Sequence, residues 1–331
     1  AQNEDRIGSA GASELLVNPW ARSAGAASSG VASVNGLEAQ FVNIAGLAFT
    51  DKTQVKFNYT NWLGSAGISL NAAGIAQRIS DQDVLAISIQ SFGFGDIDIT
   101  TVNIPEGGIG TFTPRKNIVN LGYAREFSNS IYAGFNVKLI NESISNLTAS
   151  GVAFDAGVRY VTGEQDQIKF GITLKNVGPT MVFRGDGLGT PIIYQSNGIP
   201  ATLEQRSASF EMPSLLSLGT SYDFIFTEDS KLTANFNFIA NSFINDVYAF
   251  GVDYGIAAWE KAAFNIRAGY SVESNMFDDA RASNSLTGLS FGFSVDALAG
   301  KNKSPIGFEY AARLSNPFGW INTFGLTISM K

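Results

Sequence analysis

Cysteine and histidine are both absent from this 331-residue chain. Without cysteine there is no disulfide, no thiolate nucleophile and no thiolate metal site. Without histidine the Ser-His-Asp arrangement and every His-ligated metal disappear, along with the His-dependent chemistry expected of membrane barrels that cleave lipids or peptides. Carboxylates, Lys, Tyr and Ser remain, but no motif organises them. "SFGFGD" (Ser91–Asp96) has neither a phosphate-loop lysine nor a following helix, so it reads as a glycine-bearing strand. Asp81 and Asp83 stand close together in a turn, where such pairs are normally just solvated. The expectation is a protein that is not an enzyme and holds no cofactor or metal. Charge is scarce too, at 15% of residues against about 25% in soluble domains. The net charge of −7 argues against a nucleic-acid partner. No window approaches the roughly 18 apolar residues of a membrane-crossing helix. The opening "AQNED" has no basic or apolar leader character, so any signal peptide is expected to have been removed already.

What the chain has in abundance is alternation. In "NIVNLGYAREFSNSIYAGFNVKL" (Asn117–Leu139), Ile131, Ala133, Phe135, Val137 and Leu139 take every odd position. Tyr132, Gly134, Asn136 and Lys138 fill the even ones. A period of two puts these sets on opposite faces of a β-strand. The same pattern recurs in "VKFNYTNW", "QIKFGITLK", "KLTANFNF", "AFNIRAGYSV" and "IGFEYAARL". About fourteen such strands can be placed, at 54–62, 66–79, 84–97, 115–126, 131–144, 150–162, 167–176, 213–225, 231–240, 244–257, 261–272, 285–297, 304–314 and 321–331. Many match the roughly 9–11 residues of a tilted membrane strand.

The joints carry a second phase. Short polar turns follow the even strands, whereas the long joints 98–114, 177–212 and 273–284 follow odd ones. That asymmetry belongs to outer-membrane barrels, whose even strand number puts both termini on the short-turn, periplasmic side. A soluble β-sandwich also alternates, but explains neither the phased loops nor the shortage of charge. The fold expected is therefore all-β, a transmembrane antiparallel barrel in a bacterial outer membrane. Its apolar face meets the lipid bilayer. Its polar face, with Lys138, Lys169, Lys175, Arg267, Glu309 and Arg313, lines the lumen. Buried charges of both signs are expected to pair; a selective pore is the alternative. Trp62, Trp259 and Trp320 stand at strand ends or in a turn, the positions of an interfacial aromatic belt.

Residues 1–53 break the alternation and are rich in Ala, Ser and Gly, which suits a plug packed inside the barrel formed by 54–331. The part "GLEAQFVNIAGL" can form a short helix. In the loop from Val177 to Pro213, the apolar clusters Met181, Val182, Phe183 and Ile192, Ile193, Tyr194 present either a partner-binding surface or a cap folded onto the lumen.

"LLVNPWARSAGAASSGVAS" (Leu15–Ser33) followed by "NIAGLAF" (Asn43–Phe49) resembles the N-terminal signature of the PorV/PorQ family, with Pro19, Arg22, Asn43, Gly46 and Leu47 among the matching positions. That family consists of outer-membrane proteins of the type IX secretion system and is similar in fold to FadL-type fatty-acid transporters, whose barrels hold an N-terminal hatch. The resemblance implies an accessory of type IX secretion whose partners are other outer-membrane components, namely the translocon barrel or the attachment complex, and secreted cargo recognised by its C-terminal signal domain. The FadL likeness implies an alternative, transport of a hydrophobic small molecule.

Overall fold

The computed structural model describes residues 6–63, 67–193, 200–258, 262–274, 284–299, 304–316 and 318–330. Fourteen antiparallel strands close into one barrel. In chain order they are β1 (Thr53–Trp62), β2 (Ile68–Arg78), β3 (Asp83–Gly93), β6 (Arg115–Ser128), β7 (Ile131–Ile144), β8 (Leu147–Thr162), β9 (Ile168–Val177) and β12 (Leu215–Thr227), then β13 (Ser230–Asn241), β14 (Val247–Ala258), β15 (Ala262–Glu273), β16 (Gly288–Ala299), β17 (Ser304–Ser315) and β18 (Gly319–Met330). The ring closes where β1 pairs with β18, Phe57 opposite Leu326. Two ribbons project from the long joints, β4 (Ile97–Asp98) with β5 (Thr111–Phe112), and β10 (Gly189–Ile193) with β11 (Pro200–Glu204). The sequence pattern alone reads both stretches as irregular.

Alternation sets the two faces. Along β6 and β7 the pairs Val119–Leu139, Leu121–Val137 and Tyr123–Phe135 share one face, while Ile118–Ile140, Asn120–Lys138 and Gly122–Asn136 share the other. Ile131, Phe135 and Leu139 stand exposed on the outside; Asn136 and Lys138 are buried within. Exposed large apolar side chains recur on strand after strand around the wall, including Phe170, Ile172, Phe250, Phe308 and Leu326. Hydrocarbon is the solvent that suits such a surface, and ring closure leaves no strand edge unpaired in it.

The interior is filled by the chain ahead of β1. Its local structure is short: 3-10 turns at Ser13–Leu16, Gly36–Gln40 and Ile44–Phe49 and one α-helical turn, α1 (Ala21–Gly25). The core lies between this segment and the inner wall, around Trp20, Leu37, Ile44 and Leu47, which are fully buried beside Ala72, Val84 and Ala124. The route of the segment corrects one expectation. Met330 ends at the short-turn end, where β1 also begins, but Arg6 does not. It pairs with Glu211 (2.5 Å), and Gly8 donates to the Phe243 carbonyl (3.0 Å), so the first described residues sit among the long loops. An even strand count fixes only the ends of the barrel itself; residues 6–52 cross the lumen from the loop end to the turn end before entering the wall.

Candidate functional site

The matched N-terminal residues are the ones that hold this inner segment in place. Pro19 is buried just ahead of α1, where its fixed φ suits a helix entrance. Asn43 caps the turn Ile44–Phe49 by accepting from the Ala45 amide (3.2 Å), and its Nδ2 donates to the carbonyls of Val31 (2.8 Å) and Val158 (3.2 Å). One side chain thus ties the turn to the segment behind it and to β8. Gly46 has no side chain because a Cβ there would lie 2.1 Å from the Val34 carbonyl oxygen, and Leu47 is sealed in the core. At α1, Gly25 meets Gly292 of β16 so closely that a Cβ on Gly25 would sit 2.9 Å from its Cα.

Arg22 carries the charge of α1 to the wall, pairing with Glu309 (3.2 Å) and Asp296 (3.4 Å). Glu309, fully buried, also accepts from Lys56 of β1 (3.0 Å) and from Thr327 (2.9 Å), and Lys56 bonds in turn to Glu38 of the inner segment. This is a network shared between segment and wall. Other inward cations pair within the wall: Lys138 with Asp155 (2.7 Å), Lys169 with Asp223 (2.5 Å) and Arg267 with Asp253 (2.7 Å). At the loop end Lys116 lies between Glu14 (2.7 Å) and Glu142 (3.1 Å). All six expected lining residues therefore face inward, and four of them are ion-paired. Lys175 instead has its Nζ 4.0 Å from the centre of the Phe41 ring, and Arg313 donates to the Leu286 carbonyl (2.7 Å).

The loop after β9 divides between two roles. Met181 is 1% exposed and packs with Ala12, Leu15, Ile118, Ile140 and Met212, which closes the mouth of the lumen over the inner segment. Phe183 is half-buried against Phe210, their rings 5.6 Å apart, and Val182 is half-buried. Ile192 lies half-buried in the outer ribbon, where Ile193 pairs with Pro200; Tyr194 is outside the described residues. The loop after β3 contrasts with it. Ile97, Ile99, Val102, Ile104 and Ile109 are all exposed, Val102 almost completely (99%). These five were missed from sequence, although "DIDITTVNIPEGGI" (Asp96–Ile109) carries them openly, aliphatic residues inside a long polar joint.

Of the three tryptophans expected in the interfacial belt, Trp320 stands outward beside Phe291 near the loop end, and Trp259 lies outside the described residues. Trp62 corrects the sequence expectation. It shares parity with Lys56, Asn58 and Thr60, turns toward the lumen and packs on Val17, Leu70 and Phe92 instead of meeting lipid headgroups. Among the described residues no group of three or more Asp and Glu is arranged to hold a metal ion.

Several solved structures share this architecture. The CymD monoaromatic hydrocarbon channel matches with a TM-score of 0.59 at 12% identity, over 95% of this chain and 98% of its own. The toluene transporter TbuX of Ralstonia pickettii gives 0.57 at 14% identity, covering 92% and 96%. A Pseudomonas aeruginosa FadL homologue gives 0.52 at 14%, covering 91% and 94%. At such identities the likeness is one of fold. No curated protein matches the sequence. Residues 1–244, most of the chain and all of the inner segment, match the family described as "PorV: Type IX secretion system protein PorV". Signature, lumen-filling segment and FadL-like barrel agree, and the chain is a member of the PorV family of type IX secretion system outer-membrane proteins.

Proposed function

We propose that this protein serves type IX secretion as a contact-making accessory and not as an open pore. In this reading the long-loop end faces out of the cell, residues 1–53 act as a plug, and the loops bind the translocon barrel, the attachment complex or the C-terminal signal domain of cargo. The observation that carries it is the contrast between a filled lumen and an exposed aliphatic loop. Trp20, Leu37 and Leu47 occupy the interior, while Ile97, Ile99, Val102, Ile104 and Ile109 are all exposed and belong to no buried core cluster among the described residues. Exposed aliphatic clusters of this kind mark sites of protein contact. Ile192 and Ile193 of the outer ribbon, at the same end of the barrel, take part in the same contact in this reading, with Met181, Val182 and Phe183 at the ribbon's base.

The test replaces residues 97–109 with a Gly-Ser linker in the native host. The barrel should remain heat-modifiable on gels while type IX cargo accumulates in the periplasm. Normal cargo release with normal amounts of the variant in the outer membrane would overturn the proposal.

Transport of a hydrophobic small molecule is the second reading. It draws on the cavity beside Phe41 and Val42 and on the likeness to a monoaromatic hydrocarbon channel and a toluene transporter. Liposomes containing the protein should then take up toluene faster than empty ones; equal uptake would remove this reading.

A further inference from the structure

The charges inside the barrel are nearly all accounted for, which makes the exceptions informative. Lys56, Lys116, Lys138 and Lys169 each have a carboxylate within bonding distance, and so do Arg22 and Arg267. Arg159 also lacks a described carboxylate, but it donates to the Val34 carbonyl (2.9 Å) and the Asn35 side chain (2.7 Å) and lies over the face of Phe49. Lys175 is as buried as these, yet no described carboxylate pairs with it and its ammonium rests on the Phe41 ring. Arg313 likewise has a carbonyl and no described carboxylate.

Both unpaired cations line one cavity of about 90 Å³ between the inner segment and the wall. The rest of its lining is mixed, apolar at Phe41, Val42, Leu215 and Val247 and polar at Ser217, Asn241 and Ser271. Local geometry turns Lys175 into this space. The strand β9 bulges after it, so that Lys175 and Asn176 both face inward, and Asn176 adopts a left-handed φ of 59°. Asn176 then occupies the neighbouring Lys138, accepting from its Nζ (2.7 Å), which leaves Lys175 alone at the cavity.

A buried ammonium without a counter-charge is costly unless it gives up its proton or an anion reaches it. Phe41 compensates in part through its π face, which leaves the other side of the ammonium free for an acceptor. A cavity of this size admits only a small occupant. Phe41, Val42, Leu215 and Val247 give that occupant a short apolar surface to pack on. We infer that this cavity is a binding site for a small organic carboxylate with a short apolar body, its head on Lys175 and its charge further balanced by Arg313. This goes beyond the secretion reading and does not depend on it.

The test is a ligand-detected NMR titration of the full chain in non-ionic detergent, with butyrate, 1-butanol and inorganic phosphate as probes. Butyrate should bind at least tenfold more tightly than either of the others. Equal binding of butanol would show that charge is not read; phosphate binding as well as butyrate would show that the apolar body is not read. Either result overturns the site. Lys175→Gln should weaken butyrate at least tenfold and Arg313→Gln at least threefold, with Lys175→Arg keeping most of the affinity and all three variants still heat-modifiable. Undiminished binding by Lys175→Gln would also overturn it. Should that variant not fold, the comparison of the three probes on the native chain decides alone.

Discussion

Met181 and Val102 stand in loops that rise from the same end of the barrel, and each is an apolar residue in a long, mostly polar joint. One is sealed and the other is almost fully exposed. The difference is what each loop finds beneath it. The loop after β9 lies over the mouth, where Ala12, Leu15 and Ile140 offer an apolar floor. Among the described residues the loop after β3 pairs with itself, through Ile97–Phe112 and Asp98–Thr111. An apolar residue over a filled lumen is spent on stability, whereas one on a projecting ribbon is left for a partner. The same division runs through the molecule, from the charged network at its centre to the ribbons at its rim.

That gradient can be broken step by step. Glu309→Ala at the centre should cost most. It strands Lys56 and Arg22 without their shared carboxylate, a loss of about 3–5 kcal/mol, read as a lower denaturant midpoint. A change below about 1 kcal/mol would mean that the network does not hold the inner segment to the wall. Met181→Ala in the cap should cost about 2–3 kcal/mol by the same measurement, leaving cargo release intact at permissive temperature. Asn43→Ala removes a cap and two carbonyl contacts and should cost about 1–2 kcal/mol, with faster proteolysis of residues 6–52 as a second readout. Val102→Ser, at the rim, should change stability by less than about 0.5 kcal/mol while reducing cargo release. A large stability loss there would place Val102 with Met181 and erase the contrast.

The wall was legible because a period of two is a local property. Residues 131–144 announce their faces without reference to anything else in the chain, and the strand ends shift by only a few residues between pattern and structure. Parity alone would also have placed Trp62 with Lys56, Asn58 and Thr60; reading it as a belt residue gave weight to its position at a strand end over its phase. Other features were not legible because they depend on residues far apart. Whether Met181 caps or contacts depends on Ala12 and Leu15, far ahead of it in the sequence. The path of residues 6–16 to the loop end is set by Arg6–Glu211 and by Lys116 between Glu14 and Glu142. No strand count carries that information. The isolation of Lys175 follows from a bulge that gives Lys138 two partners, Asp155 and Asn176.

The claim beneath all of this is that hydrocarbon covers one face of each strand and the inner segment the other. The absence of cysteine makes it directly measurable, since a single introduced thiol is the only labelling site. Spin labels at Phe135→Cys and Leu139→Cys, compared with Tyr132→Cys and Asn136→Cys in lipid vesicles, should alternate. Collisions with dissolved oxygen should be frequent at 135 and 139 and rare at 132 and 136. Equal collision rates at all four positions, or the opposite alternation, would contradict the account.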